Sequence, residues 1–284
     1  MKMSIRPLSA ACGAEITGLD LKRPLGADTT QELHQALGEN GILLFRDADL
    51  TPPQHIAFSR HFGPLESHVV GDFNLPGYPE IFVVSNVKEE NKPKGAVYAG
   101  QYWHSDLSYM KHPSMGSLLL CHEMPEVGGD TMWANMYLAY ETLSDVMKNF
   151  IGGLKAVHNY SHAYDTYFSH LKERPPLTPE QRAKTPPVEQ PMVRTHPVTG
   201  RKALYVNPGF TTGIVGMPGE ESQPILDFLF RHATRPEFIY RHRWRVHDMI
   251  FWDNRCTMHY ALSDYDFSVR RHMHRTTVAG DAPY

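Results

Sequence analysis

The stretch Tyr102-Trp103-His104-Ser105-Asp106 decides how this chain is read. His104 and Asp106 stand two apart, and on an extended strand such residues project from the same face. An imidazole nitrogen and a carboxylate oxygen can then address one ion. Two ligands do not fix a metal, so a third must come from elsewhere. The candidate is His259, in Asn254-Arg255-Cys256-Thr257-Met258-His259-Tyr260. Two His and one carboxylate on one face of a metal leave the other positions open, which suits a non-haem Fe(II) centre.

Alone, the pair carries little weight. With 17 His in 284 residues, about one His-x-Asp arises by chance. A surface loop or a satisfied buried His would account for it. The company it keeps changes that. His259 is followed by the basic run Arg270-Arg271-His272-Met273-His274-Arg275, which alternates like a strand. Metal ligands with Arg downstream point to an anionic co-substrate beside the metal.

The length fits one large domain or two small ones, and all-β barrels reach this size as single domains. Hydrophobic residues are 41% and charged residues 21%, a balance that argues against a disordered chain. The formal net charge of −3 supplies no basic field, so neither nucleic acid nor membrane is expected as a partner. Cys12, Cys121 and Cys256 are few, odd in number and far apart. That suits a reducing compartment without a disulfide framework. Met1-Lys2-Met3-Ser4-Ile5-Arg6-Pro7 lacks an apolar signal region, and no apolar run approaches a membrane span. A soluble cytoplasmic protein is the expectation.

Outward from the ligand pair, residues 4–20 read as a hairpin around Gly13 and Gly18. Asp28-Thr29-Thr30 is placed to cap a helix carrying Leu33 and Leu37, ended by Gly41. Ile42-Leu43-Leu44-Phe45-Arg46 reads as a buried strand. Thr51-Pro52-Pro53 opens a helix with Ile56, Phe58 and Phe62 inward. Residues 80–86 form a strand, and 87–101 form a loop into the ligand pair. Strands at 117–121 and 131–133 flank the turn Gly128-Gly129-Asp130. Residues 136–151 have helical spacing. Residues 160–191, rich in Pro, His and charge, are long enough for a lid or a surface insertion. Strands return at 192–195 and 203–207, a helix follows Gly219, and four strands close the chain at 237–245, 248–252, 256–260 and 271–279. The sum is mainly β with flanking helices: a double-stranded β-helix, or cupin-like jelly roll, forming one domain over 1–284.

Several ordered blocks carry a resemblance over nearly the whole chain. They run from Gly13-Ala14-Glu15-Ile16-Thr17-Gly18 through Phe62-Gly63-Pro64-Leu65, Trp103-His104-Ser105-Asp106 and Gly128-Gly129-Asp130-Thr131. They continue through Val193-Arg194-Thr195-His196-Pro197 and Trp252-Asp253-Asn254-Arg255 to Met273-His274-Arg275-Thr276-Thr277 and Gly280-Asp281. The chain resembles the family of Fe(II)/2-oxoglutarate oxygenases that contains taurine dioxygenase and the 2,4-dichlorophenoxyacetate dioxygenases. The resemblance implies iron ligands at His104, Asp106 and His259. It implies that Arg275 and Thr131 hold the distal carboxylate of 2-oxoglutarate, with Arg271 near its metal-bound carboxylate. A guanidinium fork suits a carboxylate better than an ammonium does.

The chemistry so implied consumes O2 and decarboxylates 2-oxoglutarate to succinate and CO2 while a substrate is hydroxylated. A hydroxyl placed on a carbon bearing a heteroatom leaving group collapses to an aldehyde and releases the group. Halogenation is excluded, because the related halogenases carry a small residue where Asp106 stands. For the substrate, the resemblance implies an acid met by His68 and Arg275, with Tyr164 and Phe210 as walls and Leu107 beside the metal. The residues that meet the taurine amine lack counterparts; Gly71, Asp72 and Gly100 stand in those loops. A small organic acid is therefore expected: a sulfonate, a sulfate ester, or an aryloxy or alkyl carboxylate. The alternatives are a larger amine or N-substituted amino acid, or a metal-binding cupin without oxygenase activity, including a Zn hydrolase. The resemblance also implies a homodimer or homotetramer.

Overall fold

The computed structural model describes residues 3–67, 73–90, 92–168 and 176–284. Its centre is a large sheet whose strands follow the order Ser4–Pro7, Ala14–Thr17, Ile42–Phe45, Met249–Asp253, Gly116–Glu123, His272–Val278, Tyr78–Ser85 and Asn74–Leu75. Leu65–Glu66 adds to His272–Val278 off this path. Pairing is antiparallel except between Ala14–Thr17 and Ile42–Phe45. A smaller sheet of Ile239–His242, Thr131–Asn135 and Thr257–Ala261 faces it. The two form the jelly roll. A third sheet joins Val188–Pro191, Lys155–His158 and Thr211–Ile214.

Burial explains why the central strands read as unbroken apolar runs: both faces of the large sheet are covered. Leu43, Phe45, Leu118, Leu120, Met249 and Phe251 face out, against Leu33, Leu37, Phe58 and Phe62 of the two N-terminal helices. Ile42, Leu44, Leu119, Cys121, Ile250, Trp252 and Met273 face in, toward Trp133 of the small sheet. Along His272–Val278 the period of two sends Arg275 inward with Met273 and sends His274 and Thr276 outward. Thr276 there meets Ser59 of the second helix at 2.6 Å between hydroxyls.

Several expectations shift. The first helix spans Ala27–Asn40 with Gly26 as its N-cap, so Asp28 lies inside the first turn, where its charge suits the helix dipole. Gly41 does end it, at φ +72°. Residues 87–101 contain a short pair of strands, Lys88–Glu89 with Lys92–Pro93. The helix expected over 136–151 is two, Met136–Glu141 and Asp145–Ile151. Ser144 interrupts it by accepting the Met147 N–H as a new N-cap. Thr211–Ile214 is an unexpected strand, hidden by Thr and Gly. Segment 160–191 holds a helix, Tyr160–Ala163, a π-turn, Tyr164–Phe168, a second helix, Pro179–Lys184, and Val188–Pro191 of the third sheet. The segment expected as a strand over 237–245 pairs only at Ile239–His242. Among the described residues, no helix is long and apolar enough to cross a membrane.

Candidate active site

His259 lies in strand Thr257–Ala261 of the small sheet, and the chain at His104 pairs with it as an isolated bridge. The His104 N–H donates to the His259 carbonyl at 3.0 Å, and the His259 N–H returns to the His104 carbonyl at 2.7 Å. This register sets the two imidazoles side by side, with ring centroids 4.1 Å apart. Asp106, two residues on, completes the group: one ligand atom from each of the three lies within 4.8 Å of the others. All three residues are buried. His104 Nε2 and His259 Nε2 stand 3.7 Å and 3.9 Å from the Asp106 carboxylate. Those gaps are too long for hydrogen bonds and short enough for a shared ion.

The donor set fits a divalent transition metal. The Tyr102 carbonyl sits 2.8 Å from His104 Nδ1. That bond holds the proton on Nδ1 and leaves the Nε2 lone pair toward Asp106. Burial, then the neighbouring His104, holds His259 well below its ordinary pKa against the pull of Asp106, so its imidazole is neutral. Burial alone would raise the Asp106 carboxyl. Arg275, His259 and His104 outweigh it and hold it well below the usual carboxylate range. Gly100, at φ +74°, leaves room beside the pair, since a Cβ there would come 3.0 Å from His104 Cε1. Gly209 does the same from the far side: a Cβ would fall 2.6 Å from Tyr102 Cε2 and 3.1 Å from His104 Cβ.

The ligand segment is tied down by residues to which the sequence reading gave no role. Ser117 Oγ donates to Asp106 Oδ2 at 2.9 Å. Asn254 Oδ1 accepts the Asp106 N–H at 3.2 Å and the Trp252 indole N–H at 3.0 Å. Its amide nitrogen donates to Ser114 Oγ, and its carbonyl accepts from Ser105 Oγ at 2.7 Å. Trp252 in turn packs on His259, with ring centroids 4.7 Å apart. Asn254 thus couples the two ligand-bearing segments. Leu107 follows Asp106 with φ +55°, a left-handed conformation that costs about 1 kcal/mol or more in a residue with a Cβ.

The two arginines occupy different places. Arg275, expected at the distal carboxylate of 2-oxoglutarate, lies at the ligands: its Nη1 donates to Asp106 Oδ1 at 3.1 Å, and its guanidinium lies over Phe82. Arg271 is buried, and its Nε reaches only the Gly129 carbonyl, at 3.3 Å. Among the described residues, no carboxylate lies within 4 Å of it. Burial lowers its pKa, opposed by Tyr265, Cys121 and Asp130, yet a guanidinium keeps its charge. Gly129 makes this room: a Cβ on it would fall 2.8 Å from Met124 Cε and 3.3 Å from Arg271 Nε. Two residues on, Thr131 is buried and accepts the Trp244 indole N–H at 3.0 Å. Arg275 lies within strand His272–Val278, whereas Arg271 precedes the strand and reaches the Gly129 carbonyl, so one arginine is at the ligands and the other at the turn.

The cleft at the ligands is lined by Phe82, Leu107, Tyr109, Tyr160, Phe168 and Phe210, with Arg275. Leu107 and Phe210, both named from the sequence, are part of this lining. Tyr164 is not in the lining; it packs behind, 5.7 Å from the Phe168 ring centre. Tyr160 and Phe168, one turn to either side of it, face the cleft instead. Burial and the adjacent Tyr160 push the Tyr109 phenol well above its usual pKa, so it stays a neutral donor. His68 lies outside the described residues, as do Gly71 and Asp72. A second group, His196, Asp253 and Cys256, has ligand-like spacing, but Arg255 and His196 already occupy the Asp253 oxygens. Burial pushes the Cys256 thiol well up, which makes it a packing residue.

The family model described as taurine catabolism dioxygenase TauD, TfdA family matches residues 4–277. The chain is 35% identical to an alpha-ketoglutarate-dependent 2,4-dichlorophenoxyacetate dioxygenase of Cupriavidus pinatubonensis, over 99% of each chain. It is 34% identical to an alkylsulfatase of Acinetobacter baylyi, over 99% of this chain and 86% of that one. Among solved structures, AAD-2 in complex with Mn(II) and N-oxalylglycine superposes with a TM-score of 0.86 at 35% identity, covering 100% of this chain and 98% of that one. With its His/Asp/His group and jelly roll in place, this chain belongs to the TauD/TfdA family of dioxygenases.

Proposed function

We propose that this Fe(II)/2-oxoglutarate-dependent dioxygenase hydroxylates a small organic acid with an apolar body: an aryloxy or alkyl carboxylate, a sulfate ester or a sulfonate. One observation carries the reading. Arg275 is the only arginine or lysine among the described cleft walls, which are otherwise aromatic and aliphatic around the ligand trio. An anionic head with an apolar tail matches such walls. The names of the relatives, which include a phenoxyacetate dioxygenase and an alkylsulfatase, fit the same class. A cationic amine is the weaker match, because Asp106 is the only carboxylate among those walls and it belongs to the ligand group.

His104, Asp106 and His259 would hold the iron, which with 2-oxoglutarate and O2 supplies the oxidising power that decarboxylates the co-substrate and oxygenates the substrate. The chain positions and protects. Arg271 and Thr131, rather than Arg275, take the distal carboxylate of 2-oxoglutarate, since Arg271 is a buried cation without a carboxylate. Arg275 takes the substrate acid beside the ligands. Ser117 and Arg275 fix the Asp106 carboxylate, and the aromatic walls exclude water. The substrate panel is aryloxyacetates, alkyl sulfates, alkanesulfonates and taurine, scored for succinate formed per product. The expected result is tight coupling with one of the first three groups and weak coupling with taurine. Uncoupled turnover with every acid would sink the reading.

The same proposal takes residues 1–284 as a single catalytic domain, a reading supported by the span of the family match. Segment 160–191 serves as its lid, because Tyr160 and Phe168 belong both to it and to the cleft. A cytoplasmic homodimer or homotetramer completes it. In support of self-association, Val146 and Phe150 are exposed one turn apart on helix Asp145–Ile151. Light scattering reads the mass directly, and a monomer at micromolar concentration would contradict the oligomer.

A further inference from the structure

We propose that Trp244 is a positioning residue for the co-substrate, because its indole N–H fixes the direction of the Thr131 hydroxyl proton. The proposal rests on the reading that Thr131 and Arg271 hold the distal carboxylate of 2-oxoglutarate. An indole Nε1–H can only donate. It lies 3.0 Å from Thr131 Oγ1, so the hydroxyl must be the acceptor. A hydroxyl has one proton, and with a lone pair engaged by Trp244 that proton is turned away from the indole. Thr131 is 3% exposed and Trp244 5% exposed. Among the described residues, no acceptor takes the Thr131 proton. A buried hydroxyl proton with no acceptor among the described residues, two residues along from the Gly129 carbonyl that the buried Arg271 reaches at 3.3 Å, makes with that guanidinium a receptor for an anion.

Trp244 is itself held in place. Thr131 pairs with His242 across the small sheet, which brings residue 244 within reach of the Thr131 side chain. The Trp244 ring stands edge-on to His242, with centroids 4.9 Å apart. His242 is locked by Asp248 at 2.9 Å and by the Tyr240 hydroxyl at 2.9 Å. Packing alone does not compel the Trp244 bond. The neighbouring Trp133, in the same apolar cluster, has a buried indole nitrogen without any partner among the described residues. Without the Trp244 bond, the Thr131 hydroxyl is free to rotate and to present a lone pair to the carboxylate.

The test is calorimetric binding of 2-oxoglutarate and N-oxalylglycine to Mn(II)-loaded, anaerobic protein. The proteins compared are wild type, Trp244→Phe, Thr131→Val and the double variant. Trp244→Phe should weaken both ligands about 5-fold and raise the KM for 2-oxoglutarate while kcat holds, within the ~1 kcal/mol range of one hydrogen bond. Thr131→Val should weaken them at least as much, and the double variant should be no weaker than Thr131→Val. Unchanged binding in Trp244→Phe, with Thr131→Val impaired, overturns this proposal alone. Additive losses overturn it too, since Trp244 would then act by another route. Unchanged binding in Thr131→Val overturns the underlying site reading instead. Should Trp244→Phe fail to fold, wild type loaded with Zn(II) gives a second readout. The 15N-indole resonance of Trp244 should move on adding 2-oxoglutarate, because a polarised hydroxyl strengthens the bond it accepts; a fixed resonance overturns the proposal.

Discussion

Arg275 lies in strand His272–Val278 and Arg271 just before it, and at the scale of single residues their separation makes the sharpest forecast. Arg271→Ala should raise the Kd for 2-oxoglutarate 10-fold or more, as expected for losing a charged hydrogen-bond partner. The KM for the organic acid should hardly move. Arg275→Ala should do the reverse. Calorimetry with each ligand in turn checks both, and the opposite pattern would return Arg275 to the distal carboxylate. His259→Ala should abolish stoichiometric Fe(II) binding, because two ligands remain where three converge; equilibrium dialysis under nitrogen reads this. The ligand trio was legible in the sequence because a metal demands particular residue types. The arginine positions were only half legible: spacing sets 271 and 275 on one face of an expected strand, but it does not say that the strand starts after Arg271 or which arginine is nearer the ligands. Tyr109, Tyr160 and Phe168 were invisible as lining, since an aromatic in the core and one on a cleft wall look the same in sequence. Ser117 and Asn254 act through geometry alone: no motif points to Ser117, and Asn254 stands in the block Trp252-Asp253-Asn254-Arg255 without a role that the sequence assigns.

At the scale of elements, strand His272–Val278 carries its one arginine, Arg275, inward and its imidazoles outward. On the outer side His274 meets His122, with ring centroids 4.2 Å apart, and both nitrogens of His274 lack partners among the described residues. Burial lowers His55, His158 and His274 to about 3 and His122 to about 4. The unfolded chain takes up protons at these rings from about pH 6.5 downward, whereas the folded chain refuses them until its own lower values. The unfolded state therefore binds more protons across that window, and stability falls as pH drops through it. Above about pH 6.5 the effect vanishes. For the metal-free protein, the melting temperature should fall on the order of 10 °C between pH 7 and pH 5. His274→Gln should shrink the fall; a flat profile would contradict the neutral imidazoles. Elements with long apolar runs were readable, since sheets covered on both faces need them. Thr211–Ile214 and the break at Ser144 were not, because a cap and a third sheet override local propensity there.

For the molecule as a whole, the jelly roll was readable from the count and spacing of strands, while the layering of three sheets was not. Stability should concentrate between the two facing sheets. Ile250→Ala, at a fully buried site, should cost about 2–5 kcal/mol. Phe150→Ala, on an exposed helix face, should stay within about 0.5 kcal/mol for the isolated fold. Chemical denaturation midpoints compare them, and equal losses would relocate the core. A practical lesson for protein engineers follows from the missing side chain at Gly209. Even a methyl group there would push on Tyr102 and through it on His104, so a directed-evolution library should freeze that codon. Randomising Tyr160 and Phe168 instead would reshape what the enzyme accepts and leave its iron untouched.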